Sequence, residues 1–336
     1  MKRFSVLLIV SILLVAFFCS CPVMAKTIKL IVASHVPPSY LDILPAEQAF
    51  IDDINVASDG KVAIDFYHSG TLLGVNELIP GLEAGTVDII FHTTSHTTGS
   101  WPIQGGASLP FLFEDSYDLR DHFKVGSPLY NFVKDKMVND HDIIILAFGA
   151  LTMEYIWTAD RAIEKPDDMK GLIFRVGGDV EAKAVKSLGG SPVFLPSGEI
   201  YEALQRGTID GVICYAGTIA GRSLQEVLKY CIKVPISGFG RTIYLKKSTW
   251  ESFPEDIQRL FHIAAVKYDY NHLEIADRVH DEQYWNKKFV DAGMEVIEPD
   301  AATIAQFREK CKDIWIEWSE SIGKEVGEQF IQLATQ

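Results

Sequence analysis

Cysteine is scarce in this chain: 5 residues in 336, two of them within the first 25 positions. The other three, Cys214, Cys231 and Cys311, have no paired spacing, so a disulfide scaffold is excluded, although one bond is allowed. Basic residues are also short, 31 Lys and Arg against 45 Asp and Glu. That deficit argues against nucleic acid or an anionic membrane surface as partner, because either would need basic patches that release counterions. Missing too are the P-loop, GxGxxG, GxSxG and HExxH signatures. Without them no cofactor is called for, and nothing assembles a nucleophile with its base.

What is present begins with an address. Residues 1–25 carry Lys2 and Arg3, an apolar run over 4–18 and then Val23-Met24-Ala25. That is the charged, apolar and small-residue order of a cleavable secretory signal, and the apolar part falls short of the roughly 20 residues of a spanning helix. Cleavage after Ala25 is expected; Phe18-Cys19-Ser20 departs from the Leu-x-Gly/Ala pattern that lipid attachment at Cys21 would favour. Without 1–25 the chain keeps 29 basic and 45 acidic residues, a formal charge of −16. A negative whole does not bar an anionic ligand, since charges beyond about 8 Å are screened at physiological salt and a local arginine can outweigh them.

The remaining length suits two lobes of about 150 residues, and an internal echo supports two. Glu77, Leu82, Gly85, Thr86, Val87 and Asp88 match Glu199, Leu204, Gly207, Thr208, Ile209 and Asp210, every pair 122 positions apart. Each set reads as a helix, a glycine stop and a buried strand. In open α/β sheets ligands sit beyond the carboxyl ends of strands. The segments after both units, 91–95 and 213–215, are therefore expected to face one crevice.

In chain order, a strand is expected over 27–33, a loop through Pro37-Pro38, a helix over 44–57 and a strand over 62–67. A helix over 118–138 and a buried strand over 143–148 lead to the second lobe. Residues 254–292 hold no internal Gly or Pro, far more than the mean helix of about 11 residues, and read as a brace across both lobes. A last helix over 303–321 places Trp315 and Trp318 on one face, as core. The lobes are drawn as 26–150 with 237–275, and 151–236 with 276–336.

Arg175 ends the apolar run Leu172-Ile173-Phe174 beside Gly177-Gly178. A guanidinium there is planar, always charged and placed to hold an anion with parallel donors. A rival reading uses His68, His92 and His96 as zinc ligands of a periplasmic metal-assisted hydrolase in the same cleft. His92 and His96 follow a strand in a Thr/Ser-rich loop, however, and no metal site is expected.

The run Met169-Lys170-Gly171-Leu172-Ile173-Phe174-Arg175-Val176, the units at 72–88 and 199–211, and Leu109-Pro110-Phe111-Leu112-Phe113 resemble the DctP-type solute-binding proteins of TRAP transporters. The similarity covers almost all of the chain after residue 25. It implies an α/β, two-lobed periplasmic-binding-protein fold with two hinge crossings and a long lobe-spanning helix. It further implies a monomeric periplasmic receptor, not an enzyme, that delivers small organic acids to a sodium-driven TRAP membrane permease. The arginine matching Arg175 clamps the ligand carboxylate in that family.

Two departures shape the expected ligand. Tyr155 stands where many relatives have a second arginine, and where many have the Asn of an Asp-Gly-x-x-Asn run, this chain follows Asp210-Gly211-Val212-Ile213 with Cys214 and then Tyr215. One arginine with Tyr155, Trp157 and Tyr215 suits a monocarboxylate with an apolar or aromatic body. From the other lobe the expected contacts are Thr93, Thr94, Phe91, His92 and His35, with Arg241 as a reserve cation near the second crossing.

Overall fold

The computed structural model describes residues 27–336, so the signal segment expected at 1–25 lies outside the described residues. The strands, in chain order, are β1 (Ile28–Ser34), β2 (Val62–Tyr67), β3 (Ile89–Thr93), β4 (Ile143–Ala147) and β5 (Glu154–Thr158). They continue as β6 (Ile173–Val176), β7 (Ser191–Phe194), β8 (Gly211–Cys214), β9 (Tyr230–Ser237), β10 (Arg241–Lys246) and β11 (Glu295–Ile297). Two sheets result, ordered β2-β1-β3-β10-β4 and β11-β9-β5-β8-β6-β7.

Each sheet is a parallel set interrupted by one strand that arrives from the other lobe. In the first, β10 runs antiparallel to β3 and β4; in the second, β5 runs antiparallel to β8 and β9. Read from β2 and from β7, the two sheets have the same five-strand order, and the repeated sequence units occupy equivalent places in it. Gly85 (φ +78°) follows the helix Leu78–Ala84 and Gly207 (φ +66°) follows Ile200–Gln205. Both hold the left-handed backbone that glycine adopts without a Cβ clash. The aspartates then do identical work. Asp88 accepts from the Ile31 N–H at 2.7 Å while its own N–H donates to Ile31 O at 2.8 Å. Asp210 does the same with Ile173, at 2.7 and 2.8 Å.

Two crossings join the lobes, β4 to β5 and β9 to β10, and they are hydrogen-bonded to each other. Arg241 N–H donates to Gly149 O and Leu151 N–H to Phe239 O, both at 2.9 Å, around an Ala150–Gly240 bridge. A side chain at Gly149 would meet Arg241 O at 2.5 Å, and its φ is +63°. No other residue fits there.

The long helix is Glu255–Val279, passing without a break into π-helical His280–Lys288 and then Phe289–Asp291. Its first part packs on the helix Leu44–Ala57 and on β4; Trp285 at its far end stacks on Trp157 of β5, ring centroids 5.5 Å apart. His280 Nε2 bonds Asp42 Oδ2 at 2.8 Å where the α-helix gives way to π turns.

The expected single helix over 118–138 is two, Ser116–Phe123 and Pro128–His141. Gly126 at φ +90° and Pro128 separate them, and Ser127 caps the second by accepting from Tyr130 N–H at 3.2 Å. The last expected helix is likewise two, Ala301–Cys311 and Ile314–Ile322, with Lys324–Ala334 after them. Trp315 and Trp318 donate to Pro110 O and Pro102 O, at 2.8 and 3.1 Å, stitching these helices to the irregular stretch before residue 113. The sequence reading allots 276–336 to the second lobe; the final helix itself lies against Pro128–His141 and Pro102–Ser108. All three described cysteines are free and buried.

Candidate ligand-binding site

A nearly closed void of ≈ 20 Å³ lies between the lobes, beyond the carboxyl ends of β1, β3 and β6. That is far below the roughly 300–1,000 Å³ usual for ligand pockets, so a ligand needs the lobes to part before it can be seated here. The first lobe lines it with His35 and Val36 after β1, Thr93 at the end of β3, and Ser95 and His96. The second lobe contributes Arg175, Ser197 and Thr218, with Glu154 and Phe239 coming from the crossings. Gly177 and Gly178 let the lobes meet this closely. A Cβ on Gly178 would stand 2.4 Å from Ser95 O, and one on Gly177 2.9 Å from Ser95 Oγ.

Arg175 is 3% exposed. Its Nε donates to Leu195 O at 2.8 Å, Nη1 to Cys214 Sγ at 3.3 Å and Nη2 to His96 Nε2 at 3.2 Å. None of these partners is an anion. An unpaired buried charge is costly, so this guanidinium is held ready by neutral acceptors while its charge lacks an adjacent counter-ion. His96 must be neutral to accept from Arg175. Burial holds its pKa well below the ordinary value, and the Arg175 charge pushes it the same way.

Arg241, expected as a reserve cation, is engaged elsewhere. Its Nε donates to Glu47 Oε1 at 2.7 Å and both side chains are fully buried. Its other nitrogens reach Ser34 Oγ (2.8 Å), Thr93 Oγ1 (3.3 Å) and His35 Nδ1 (3.4 Å). It stands behind the void and holds two of its lining residues. Burial, then the Arg241 charge, keeps His35 neutral as well.

Of the residues expected from sequence, His35, Thr93 and Arg175 line the void, and Cys214 touches it through Arg175. The others stand apart. Thr94 bonds Gly240 O and Thr242 Oγ1 at the crossing, at 3.1 and 2.9 Å. Phe91 belongs to the core between the first sheet and the long helix. His92 is buried against His35 and His96, its pKa lowered by burial to about 3. Trp157 donates to Cys214 O at 2.8 Å beneath Trp285, and Tyr155 packs on the same ring. Tyr215 stacks on Phe239 at 4.1 Å, in a cluster around Val36, Tyr40 and Leu151.

The face of the sheet explains these displacements. Register pairs Tyr155 with Cys214, and Trp157 and Arg175 both with Val212, so all of them project to one side. Only at the strand end is that side open; further in it is covered by Trp285 and Phe289. Glu154, Ser197, Tyr40 and Phe239 were missed. Glu154 heads a strand directly after a crossing, and that position was the one available signal.

The zinc reading fails on geometry. His68 bonds Ser69 Oγ at 2.8 Å beside Phe66, and His35 takes its place next to His92 and His96. Among the described residues no group of three or more His, Cys, Asp or Glu is arranged to hold a metal ion.

Residues 33–321 match the DctP model, described as bacterial extracellular solute-binding protein, family 7. The chain is 23% identical over 256 residues to the 2,3-diketo-L-gulonate-binding periplasmic protein of Escherichia coli, covering 75% of this chain and 76% of that one. A TRAP periplasmic solute-binding protein from Chromohalobacter salexigens, solved with D-glucuronate, superposes with a TM-score of 0.83 at 21% identity, over 91% of this chain and 99% of the other. Another from Shewanella oneidensis, solved with succinate, gives 0.82 at 19% identity, over 93% and 100%. With two sheets sharing one strand order, two paired crossings and a brace helix, the chain belongs to the DctP family of bacterial extracellular solute-binding proteins.

Proposed function

We propose that this protein is a periplasmic receptor, exported by a signal cleaved after Ala25, that closes on a small organic carboxylate. It hands the ligand to the membrane subunits of a TRAP transporter and carries out no reaction itself. One observation carries the reading: Arg175, buried in the void between the lobes, is bonded only to a carbonyl, a thiol and an imidazole. A ligand carboxylate supplies the missing counter-ion. Each charge-assisted hydrogen bond contributes roughly 1.5–3 kcal/mol, so a paired contact gives much of the ~8 kcal/mol of micromolar binding.

The favoured ligand is a monocarboxylate with an apolar body. Among the described residues Arg175 is the one arginine lining the void, Arg241 being bound to Glu47. Val36, Tyr40, Ile43 and Phe239 form the apolar wall in place of the aromatics expected from sequence. The succinate, glucuronate and diketogulonate of the related proteins set the size class and share the carboxylate. Because the lining comes from both lobes, the ligand stabilises the closed form by touching both, and a compound confined to one shifts nothing.

Calorimetry on Arg175→Ala is the test. Carboxylate binding is lost while circular dichroism shows the fold intact; wild-type affinity in that variant refutes the proposal. A thermal-shift series ranks branched or aromatic monocarboxylates above succinate and malate, and the reverse order removes the finer claim.

A further inference from the structure

Glu154 lines the same void and is 2% exposed, yet among the described residues no cation forms a salt bridge with it. Ser237 Oγ donates to its Oε2 at 2.7 Å. Glu181, on the helix Asp179–Ser187, is buried nearby with both carboxyl oxygens lacking a hydrogen-bond partner. Burial raises both carboxyls above their ordinary range, Glu154 the more strongly.

The void thus has two unsatisfied poles. Arg175 has no adjacent counter-ion at one, and Glu154 has only the Ser237 hydroxyl at the other; a cation placed beside a buried carboxyl favours its charged form. His35 and His96 supply no such cation, since each accepts from an arginine. Arg222 is partly exposed at the rim, donating to Tyr40 Oη and Ser197 Oγ at 3.3 and 3.2 Å, where water screens it. A plain carboxylate satisfies Arg175 alone, whereas a ligand carrying both charges satisfies both poles.

Resting on the carboxylate reading above, we propose that the ligand is a zwitterion whose carboxylate pairs with Arg175 and whose ammonium pairs with Glu154. Arg175 and Glu154 approach the void from opposite faces of the second sheet. β5 and β6 flank β8, with Tyr155 opposite Cys214 and Arg175 opposite Val212. They mark two poles of one pocket, with Val36, Ile43 and Phe239 left for an apolar side chain. The class this describes is a small apolar amino acid or a cyclic relative.

Matched pairs differing only in ammonium against hydroxyl isolate the effect: L-alanine and L-lactate, L-valine and (S)-2-hydroxy-3-methylbutanoate, L-phenylalanine and L-3-phenyllactate. Calorimetry on the wild-type protein is expected to show the amino member binding at least about tenfold tighter, and Glu154→Gln to erase that advantage. Equal or tighter binding of the hydroxy acids, with or without uptake of a proton, overturns the proposal on wild-type protein alone. So does an amino preference unchanged in Glu154→Gln. Binding by neither class overturns the carboxylate reading itself, and this one with it.

Discussion

Arg241 donates through Nε to Glu47 Oε1 at 2.7 Å, with both side chains wholly out of solvent. The pair joins the helix Leu44–Ala57 to the first residue of β10, next to the crossing. It also removes the nearest rival to Arg175 as a ligand anchor.

Glu47→Ala leaves Arg241 charged, buried and unpaired. It is expected to cost about 3–5 kcal/mol of stability, measured by urea unfolding, and Glu47→Met with Arg241→Met to recover most of that. A loss below about 1 kcal/mol for the single variant would mean that water or another acid reaches Arg241.

Arg175→Lys tests geometry apart from charge. A lysine is a point charge with no planar fork and cannot keep the contacts to Leu195 O, Cys214 and His96 while serving a ligand. Affinity is expected to fall roughly 10- to 100-fold, or ~1.4–2.8 kcal/mol. Retained affinity in calorimetry would show that charge alone suffices.

The twin aspartates predict a twin result. Asp88→Ala and Asp210→Ala each remove the acceptor of one β-strand N–H, Ile31 and Ile173 respectively, at a cost of about 1–3 kcal/mol each. They lie in different sheets and share no partner, so in the double variant the costs add. A marked departure from additivity in denaturant unfolding would show the two units to be coupled.

His92 gives a pH dependence with a definite sign. Unfolded, it protonates near 6.5; folded, burial holds it down to about 3. Between these values the unfolded chain binds the extra proton, so acidification costs stability, by about 1.4 kcal/mol per pH unit at full effect. His92→Gln lacks that cost. Its stability relative to wild type should rise by about this amount per unit between pH 6 and pH 4, and hold constant above 7. Parallel stability curves would show that His92 titrates in place.

Much of the fold was legible because its signals are local. The glycine stops, the period-2 strands and the helix over Leu44–Ala57 depend on neighbours in sequence, as does the uninterrupted run after Pro254. Where Gly126 and Pro128 were overridden by apolar spacing, a helix was drawn through a real break. The site was less legible. Arg175, His35 and Thr93 follow from strand ends, which sequence marks. Tyr155, Trp157 and Tyr215 share the right face or lie near the right strand end, but what covers that face comes from residues 280–289, over sixty positions away. Glu154 is marked only by heading a strand directly after a crossing; it becomes informative when the fold brings it and Arg175 to one void.

The paired crossings limit how the protein can open. Because the Gly149–Leu151 and Phe239–Arg241 segments are laced together around the Ala150–Gly240 bridge, they flex as a single ribbon. Such a ribbon folds readily across its flat side but resists sliding of one rail past the other. The halves consequently swing about one axis, like a book on its spine, and any solute admitted must enter along the edge facing away from it.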